Sequence, residues 1–208
     1  MIIENSHLEI FRDYLEIPDL HVMTVENKLQ TMKEFRQYLR QEIYEYFETA
    51  MENGAFPNLE HESQIEYDFK ELLDLNKIPH PQWGGLSISH CPTLGVFVSS
   101  YQYQNLGVDV EQINRIEKNL IARVCSEEEM DLAPETHFLW TAKEAAFKSF
   151  YRLDQPKTLS EIKVFDWSKK SENIYHFRFE SFNQKGETII GEGLLYESSP
   201  LDLSITHI

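Results

Sequence analysis

Few cysteines and few basic residues mark this 208-residue chain. Its two cysteines, Cys91 and Cys125, cannot form a disulfide framework. Nineteen Lys and Arg stand against thirty-five Asp and Glu, which gives a formal net charge of −16. Because affinity for nucleic acid and for anionic membrane surfaces requires clustered Lys and Arg, we expect the chain to bind neither.

Long hydrophobic runs are missing as well. No stretch approaches the roughly 18 uninterrupted apolar residues of a membrane-spanning helix. The N-terminal sequence 1–5 has no basic region followed by a long apolar run, so no signal peptide is predicted. Together with the two lone cysteines, these features predict a soluble protein of a reducing compartment, most simply the cytoplasm.

The composition is that of a folded protein. Hydrophobic residues make up 41% of the chain and aromatic residues 12%, which is enough to bury a core and argues against disorder. The length fits one large domain or two small ones.

Hydrophobic periodicity predicts the elements of the N-terminal half. Apolar residues at steps of three and four predict a helix over 25–48, with a stop at Asn53. Residues 1–24 leave a strand and a helical turn both open, and a weaker helix is predicted around 65–73. Two short apolar runs around Cys91 predict a hairpin with strands over 86–90 and 94–99.

In the C-terminal half, apolar residues alternate with Gly107, Asp109 and Glu111, which predicts a half-buried strand over 106–111. Further helices are predicted over 114–123, after a capping box at Ser126, and from 136 to about 151. The tail predicts four strands, over 163–167, 175–179, 188–195 and 203–206. Both halves place helices before strands, an order that would fit a loose duplication with a boundary near 103–106.

Two acids lie two residues apart on the predicted strand. The side chains of Asp109 and Glu111 point to one face, roughly 6.5 Å apart along the strand. Two hard carboxylates so placed can hold one Mg²⁺, which prefers oxygen ligands. The alternative is the polar outer face of an edge strand.

A third acid lies on the last predicted helix. Glu144 and Lys148 share a helix face at a spacing of four, as many surface ion pairs do. This helix, however, is apolar nearly all round, through Trp140 and the run 145–147, and it also carries Lys143. Charges on a buried helix need partners, and the strand acids with a metal-bound diphosphate would supply them.

Three segments in order resemble a known family. They are Ser87–His90, Gly107–Glu111 and Trp140–Lys148, of which the last is the most specific. Together they resemble the motifs of the 4′-phosphopantetheinyl transferase superfamily, in its larger, pseudo-dimeric, surfactin-synthetase-activating type. The resemblance spans roughly residues 77–151. Without it, His90 at a turn would be read as a structural hydrogen-bonding residue.

The resemblance implies a role for each matched side chain. Glu144, or a water that it orients, would help to deprotonate the attacking serine, and Lys148 would contact the diphosphate and the leaving 3′,5′-ADP. Glu129 resembles a further family acid near the metal. The implied magnesium ligands are Asp109, Glu111 and Glu144; the implied catalytic residues are Glu144, Lys148 and Asp109; the implied coenzyme contacts are Ser89, His90, Lys143 and Lys148.

Two points are left open by the resemblance. Lys143 could contact a nucleotide phosphate or merely support the site. The arginine-rich helix of the family corresponds in this chain only to Lys33, Arg36 and Arg40, so the contacts to the adenine and the 3′-phosphate are not assigned.

The implied fold is α+β, with two similar lobes over 1–104 and 105–208 related by a pseudo-two-fold axis. Each lobe would pack helices on a small antiparallel sheet, with the active site in the cleft between them. The implied reaction transfers 4′-phosphopantetheine from coenzyme A to a serine of an apo acyl or peptidyl carrier protein, with Mg²⁺. Alternatives are another Mg²⁺-dependent phosphoryl hydrolase and a non-catalytic relative that binds carrier proteins. A two-lobed chain encloses a whole site, so a monomer is expected.

A carrier-docking helix is a further hypothesis. Carrier proteins of this family's chemistry are generally acidic, and this chain is acidic too, so attraction requires a local basic patch. The segment Ile113–Val124 combines an apolar repeat with Arg115, Lys118 and Arg123. The alternative is an amphipathic helix that packs on its own lobe.

Overall fold

The computed structural model describes residues 5–53, 71–75 and 84–208. In these ranges the chain is α+β, with two antiparallel sheets and several helices, as expected. No helix of the described ranges is long and apolar enough to cross a membrane.

The described elements of the N-terminal part are α1 (Asn5–Tyr14), β1 (His21–Glu26), α2 (Met32–Glu52), β2 (Gly85–His90) and β3 (Leu94–Ser100). The strands form a sheet in the order β1-β3-β2. The undecided stretch 1–24 contains a helix followed by a strand, and the predicted hairpin is confirmed as β2 and β3. The weak helix predicted around 65–73 lies largely outside the described residues.

Helix α2 begins later than predicted. Its N-terminus is a capping box: Glu34 N donates to Thr31 Oγ1 and Thr31 N donates to Glu34 Oε2. The predicted start at 25 is therefore wrong, since residues 25 and 26 belong to β1. A cap, rather than apolar spacing, sets where a helix starts. The apolar stripe itself is confirmed and buried.

The elements of the C-terminal part are β4 (Leu106–Gln112), α3 (Lys118–Val124), α4 (Glu127–Leu132), α5 (Thr136–Ser149), β5 (Lys163–Ser171), β6 (Ile174–Phe182), β7 (Thr188–Ser198) and β8 (Leu201–His207). The five strands form a sheet in the order β4-β8-β7-β6-β5, and all four tail strands are confirmed. The single helix predicted over 114–123 is wrong, because the extended backbone of Ile116 separates a 3₁₀ turn, Ile113–Arg115, from α3.

Strand β4 is buried on both faces, not half-buried as predicted. Helix α5 covers the face that carries Gly107 and Asp109, and Asp109 is only 6% exposed. At Gly107 a Cβ atom would collide with the carbonyl oxygen of Ala145, so only glycine permits this close approach of α5. The strand that carries the acids is thus held rigidly against the helix that carries Glu144 and Lys148.

The two sheets share an apolar core. Side chains of α1 and β3 pack in one cluster with Val108 of β4 and Leu203 of β8. A second cluster lies between α5 and the five-stranded sheet, and a third between α2 and the three-stranded sheet. The shared cluster brings the end of β2 beside β4, where the candidate site lies.

Candidate active site

Two serine hydroxyls of β2 join the edge of β4. Strand β4 is the edge of its sheet, so its outward amides need partners when they are buried. Val108 N donates to Ser87 Oγ (3.0 Å) and Val110 N donates to Ser89 Oγ (3.3 Å). We call these two serines the serine ladder; it links the two sheets through side chains instead of a backbone pairing.

Asp109 is held from two sides. Its Oδ1 accepts from Ser89 Oγ and from Lys148 Nζ, each at 2.8 Å. The same ammonium donates to Val108 O at 2.9 Å. Three of the residues singled out from the sequence, from β2, β4 and α5, therefore meet in one hydrogen-bonded group.

Glu144 lies one turn before Lys148 and shares the electrostatic field of the other acids. Burial raises the pKa of Glu144; Asp109 and Glu111 raise it further, while Lys148 lowers it. Glu111 is less buried than Asp109 and accepts from Gln112 N at 2.9 Å. The three predicted magnesium ligands thus influence one another across a small space.

The metal site itself is not assembled. Among the described residues, no group of three or more His, Cys, Asp or Glu side chains is placed to hold a metal ion. The ammonium of Lys148 neutralises Asp109 instead. The donor set still fits Mg²⁺ in its chemistry, because it consists of hard carboxylate oxygens, and a bound cation would oppose the burial and the neighbouring acids that raise the pKa of Glu144.

His90 contacts an arginine of α2. Arg36 Nε donates to His90 Nε2, and the His90 ring stacks on Phe35 at 6.4 Å between centroids. Burial and the charge of Arg36 lower the pKa of His90, and its Nε2 accepts the hydrogen bond from Arg36. In this arrangement Arg36, not His90 Nε2, offers N–H groups to an anion; the predicted phosphate contact of His90 stays a prediction.

A cavity of about 450 Å³ lies between α2, β2 and the C-terminal end of α5. Glu144, Ser89 and His90 belong to its wall, and Asp109 lies behind Ser89 and Lys148, which both contact it. In a chain of charge −16, its cationic lining marks a local site for an anion. The cationic lining residues are Arg36, Arg40, Lys148 and Arg152.

Part of this lining was not predicted from the sequence. The sequence alone assigns no role to Arg152, although it follows Lys148 at a spacing of four. Arg36 and Arg40 correspond by resemblance to part of a more basic helix, without an assigned contact. Their spacing of four on α2, off the apolar stripe, was the available signal, but only the tertiary structure brings them to the cavity that Lys148 lines.

Lys143 does not face the cavity. Its side chain is fully buried, and its ammonium donates to Val124 O (2.7 Å) and Ile162 O (2.6 Å) and pairs with Glu129 Oε1 (2.7 Å). All three donors are used inside the protein, so none is left for a phosphate in this arrangement, and the predicted phosphate contact of Lys143 stays a prediction. Its contacts join α5 to the residues around Val124, Ile162 and Glu129.

Glu129 belongs to the same buried group as Lys143, and its expected place near the metal stays a prediction. It completes the predicted capping box with Ser126 and accepts from Val164 N at 3.0 Å. Burial raises the pKa of Glu129, but hydrogen bonds from Lys143, Ser126 and Val164 hold it below the ordinary value. This ion pair fixes α4 and β5 to α5.

The segment proposed for docking packs partly on its own core. Ile121 is its most buried residue, and Ile116 and Val124 pack against the same cluster. The basic residues Arg115 and Lys118 are exposed on two separate elements. The apolar side therefore follows the packing alternative, while the basic side remains open to a partner.

Comparison with known proteins covers the C-terminal part of this site. Residues 105–193 match the family model ACPS, the 4′-phosphopantetheinyl transferase superfamily. No curated protein matches the chain significantly. The matched range contains the strand of Asp109 and Glu111 and the helix of Glu144 and Lys148, and it is this region that is similar to the superfamily.

Proposed function

We propose that this protein transfers 4′-phosphopantetheine from coenzyme A to a serine of an apo acyl or peptidyl carrier protein and releases 3′,5′-ADP. The observation that carries the proposal is the convergence of Glu144, Lys148 and three arginines on one cavity, beside Asp109. The family match over 105–193 supports the transferase class.

The cavity suits the charge of coenzyme A. A diphosphate and a 3′-phosphate need several cations to neutralise them. One guanidinium group can donate two parallel hydrogen bonds to two oxygens of a phosphate. Arg36 and Arg40 on α2 and Arg152 beyond α5 are candidates for these phosphates. They fill the contacts that the resemblance alone did not assign.

Asp109, Glu111 and Glu144 would hold Mg²⁺ in this proposal. When bound, the ion would neutralise charge on the diphosphate, which is the main requirement of phosphoryl-type transfer. Asp109 is presented by β4, and its Oδ2 takes no part in the bonds to Ser89 and Lys148.

The chain's own residues would handle the proton and the leaving group. The carrier serine attacks the β-phosphate of coenzyme A, and its proton passes to Glu144 directly or through a water. The raised pKa of Glu144 makes its carboxylate a better base. Lys148 lies where it can donate to the diphosphate and stabilise the departing 3′,5′-ADP.

The wider proposal follows the larger family type. The chain acts as a two-lobed cytoplasmic monomer, with lobes at 1–104 and 105–208 and the cavity between them. An acidic carrier docks on the exposed basic side of Ile113–Val124. Support comes from the exposure of Arg115 and from its approach to Glu111, 3.5 Å from guanidinium to carboxylate, which puts the basic side next to the acids.

Mass spectrometry tests the proposal. The protein is incubated with coenzyme A, Mg²⁺ and an apo carrier, with a carrier lacking the acceptor serine as control. A phosphopantetheine mass increment on the carrier that has the acceptor serine, and none on the control, supports transfer. Asp109→Ala should lower the rate of transfer by two to three decades. Coenzyme hydrolysis without modification would indicate a hydrolase, and a stable complex without either reaction would indicate a carrier-binding relative.

A further inference from the structure

The serine ladder offers a matched pair of contacts. Ser87 and Ser89 stand two residues apart on β2, and each is 6% exposed. Each hydroxyl accepts from one outward amide of β4. Only Ser89 also donates to a carboxylate, at Asp109 Oδ1. The two serines therefore share a structural role and differ in one contact with the site.

The hydroxyl of Ser89 has no capacity left for a phosphate. A serine hydroxyl carries one proton, and Ser89 donates that proton to Asp109. An ionised phosphate oxygen needs a donor, so Ser89 Oγ cannot bind it without releasing Asp109. This argues against the direct coenzyme contact expected for the Ser89 side chain.

Both donors to Asp109 converge on the same oxygen. Ser89 approaches from β2 and Lys148 from α5, and each ends on Oδ1. Two donors on one oxygen fix the rotation of the carboxylate, and Oδ2 takes part in neither bond. Partners of this kind orient the carboxylates that bind metal ions and raise the affinity of the site.

We propose that Ser89 is a positioning residue: its hydroxyl orients the Asp109 carboxylate for Mg²⁺ instead of contacting coenzyme A. The inference rests on the proposed function, because it takes Asp109 as a magnesium ligand. It also accounts for the placement of a serine at the end of β2, where the ladder meets the acids.

The test compares Ser89→Ala with Ser87→Ala. Each variant removes one amide contact of the ladder, but only Ser89→Ala removes the bond to Asp109. Mg²⁺ affinity is measured by calorimetry on the purified protein, alongside the KM for coenzyme A at saturating Mg²⁺. We expect Ser89→Ala to weaken Mg²⁺ binding about 10–100-fold, while Ser87→Ala stays near the wild type and the KM is unchanged.

Further variants keep the test decisive. Ser89→Thr keeps the hydroxyl and should restore Mg²⁺ affinity. If Ser89→Ala does not fold, Ser89→Cys, whose thiol donates weakly, should show the same direction of loss. Equal Mg²⁺ affinity in Ser89→Ala and Ser87→Ala would overturn the inference, and so would a raised KM for coenzyme A with unchanged Mg²⁺ affinity.

The outcomes also separate this inference from the proposed function. Wild-type protein that binds Mg²⁺ but transfers nothing would overturn the proposed function alone. Transfer by the wild type, with no selective effect of Ser89→Ala on Mg²⁺ affinity, would overturn the inference alone. Wild-type protein without any Mg²⁺ affinity would overturn both.

Discussion

Two lysines of α5 form ion pairs of nearly equal length in very different surroundings. Lys143 Nζ lies 2.7 Å from Glu129 Oε1, and Lys148 Nζ lies 2.8 Å from Asp109 Oδ1. The side chains of the first pair are 0% and 5% exposed, whereas Lys148 is 28% exposed. Every N–H group of the Lys143 ammonium bonds to a buried protein atom, whereas Lys148 lines the cavity.

The contrast shows that pair geometry alone does not separate a structural lysine from a ligand-facing one. Access and unused donor capacity separate them. We call the buried pair of Lys143 and Glu129 the closed pair, and the pair of Lys148 and Asp109 at the cavity the open pair. The closed pair is costly to break, because the charge that remains stays buried without a partner. In the open pair, the lysine at the cavity wall can exchange its carboxylate partner for a ligand. The following variants test this contrast, first on each pair separately and then on both.

The largest effect is expected from breaking the closed pair. Lys143→Met leaves Glu129 buried and two carbonyls without their donor, so the free energy of unfolding should fall by about 3–5 kcal/mol. Urea denaturation measures the loss. The control is Lys163→Met, which removes an exposed pair with Glu128 and should cost at most about 1 kcal/mol. Equal losses in the two variants would contradict the closed-pair interpretation.

Breaking the open pair should affect catalysis more than stability. Lys148→Met removes the proposed donor to the diphosphate, so transfer should fall about 100–1000-fold, in line with the loss of one electrostatic contact. Its loss of unfolding free energy should be smaller than that of Lys143→Met, because Asp109 keeps Ser89. Rates come from the carrier assay and stabilities from urea denaturation. Full activity would leave Lys148 as a mere partner of Asp109.

Gly107→Ala should affect both lysine pairs at once, because both lysines lie on α5. The added methyl meets the backbone of α5, so the helix must shift away from β4. We expect a loss of about 1–3 kcal/mol in unfolding free energy, together with lower activity, because Lys148 and Asp109 are no longer aligned. Thermal unfolding and the carrier assay are measured on the same sample, and unchanged values in both would show that α5 tolerates the displacement.

Glu129 of the closed pair and Glu144 beside the open pair should contribute to stability with opposite dependence on pH. The pKa of Glu129 is lowered, so its contribution to stability is present above its ordinary value of 4.5 and is lost as the pH falls through the lowered value. The pKa of Glu144 is raised from 4.5, so its contribution is present below 4.5 and is lost as the pH rises through the raised value.

Glutamine variants test this opposition. At pH 7, in the absence of Mg²⁺, Glu129→Gln should destabilise the protein, whereas Glu144→Gln should stabilise it modestly. Both differences should shrink towards pH 3.5. Melting temperatures across this range measure the effect, and added Mg²⁺ should reverse the order of Glu144→Gln and wild type. Differences of the same sign would contradict the two environments.

The smallest effect concerns carrier docking. Arg115→Glu plus Lys118→Glu should raise the KM for the carrier and leave that for coenzyme A nearly unchanged, with the difference weakening in high salt. Lys169→Glu plus Lys170→Glu on β5 is the control with the same change in net charge. If both double variants behave alike, net charge alone sets the encounter and docking lies elsewhere.

Local signals predicted much of this site. The spacing of Asp109 and Glu111 placed both acids on one strand, and the apolar spacing of α5 placed Glu144 and Lys148 on one helix. The capping box at Ser126 was also found, because a cap involves residues only three apart. These features depend on neighbours in the chain, so the sequence displays them directly.

Contacts between distant residues were not visible in the same way. The closed surroundings of Lys143 depend on Glu129, Val124 and Ile162, and no periodicity relates these positions. The break at Ile116 and the late start of α2 likewise overrode a continuous apolar pattern. Spacing shows which face a residue occupies, and it does not show what packs against that face.

By itself, the sequence of this protein determined an acidic α+β chain, the strand of paired acids, the helix with its two lysines, and the resemblance that links them. Only the tertiary structure decided that Lys143 is closed and Lys148 open, that Ser89 holds Asp109, and that Arg36, Arg40 and Arg152 line one cavity. The physical reason is that burial and hydrogen-bond saturation are properties of packed surfaces, which form only when segments far apart in the chain meet.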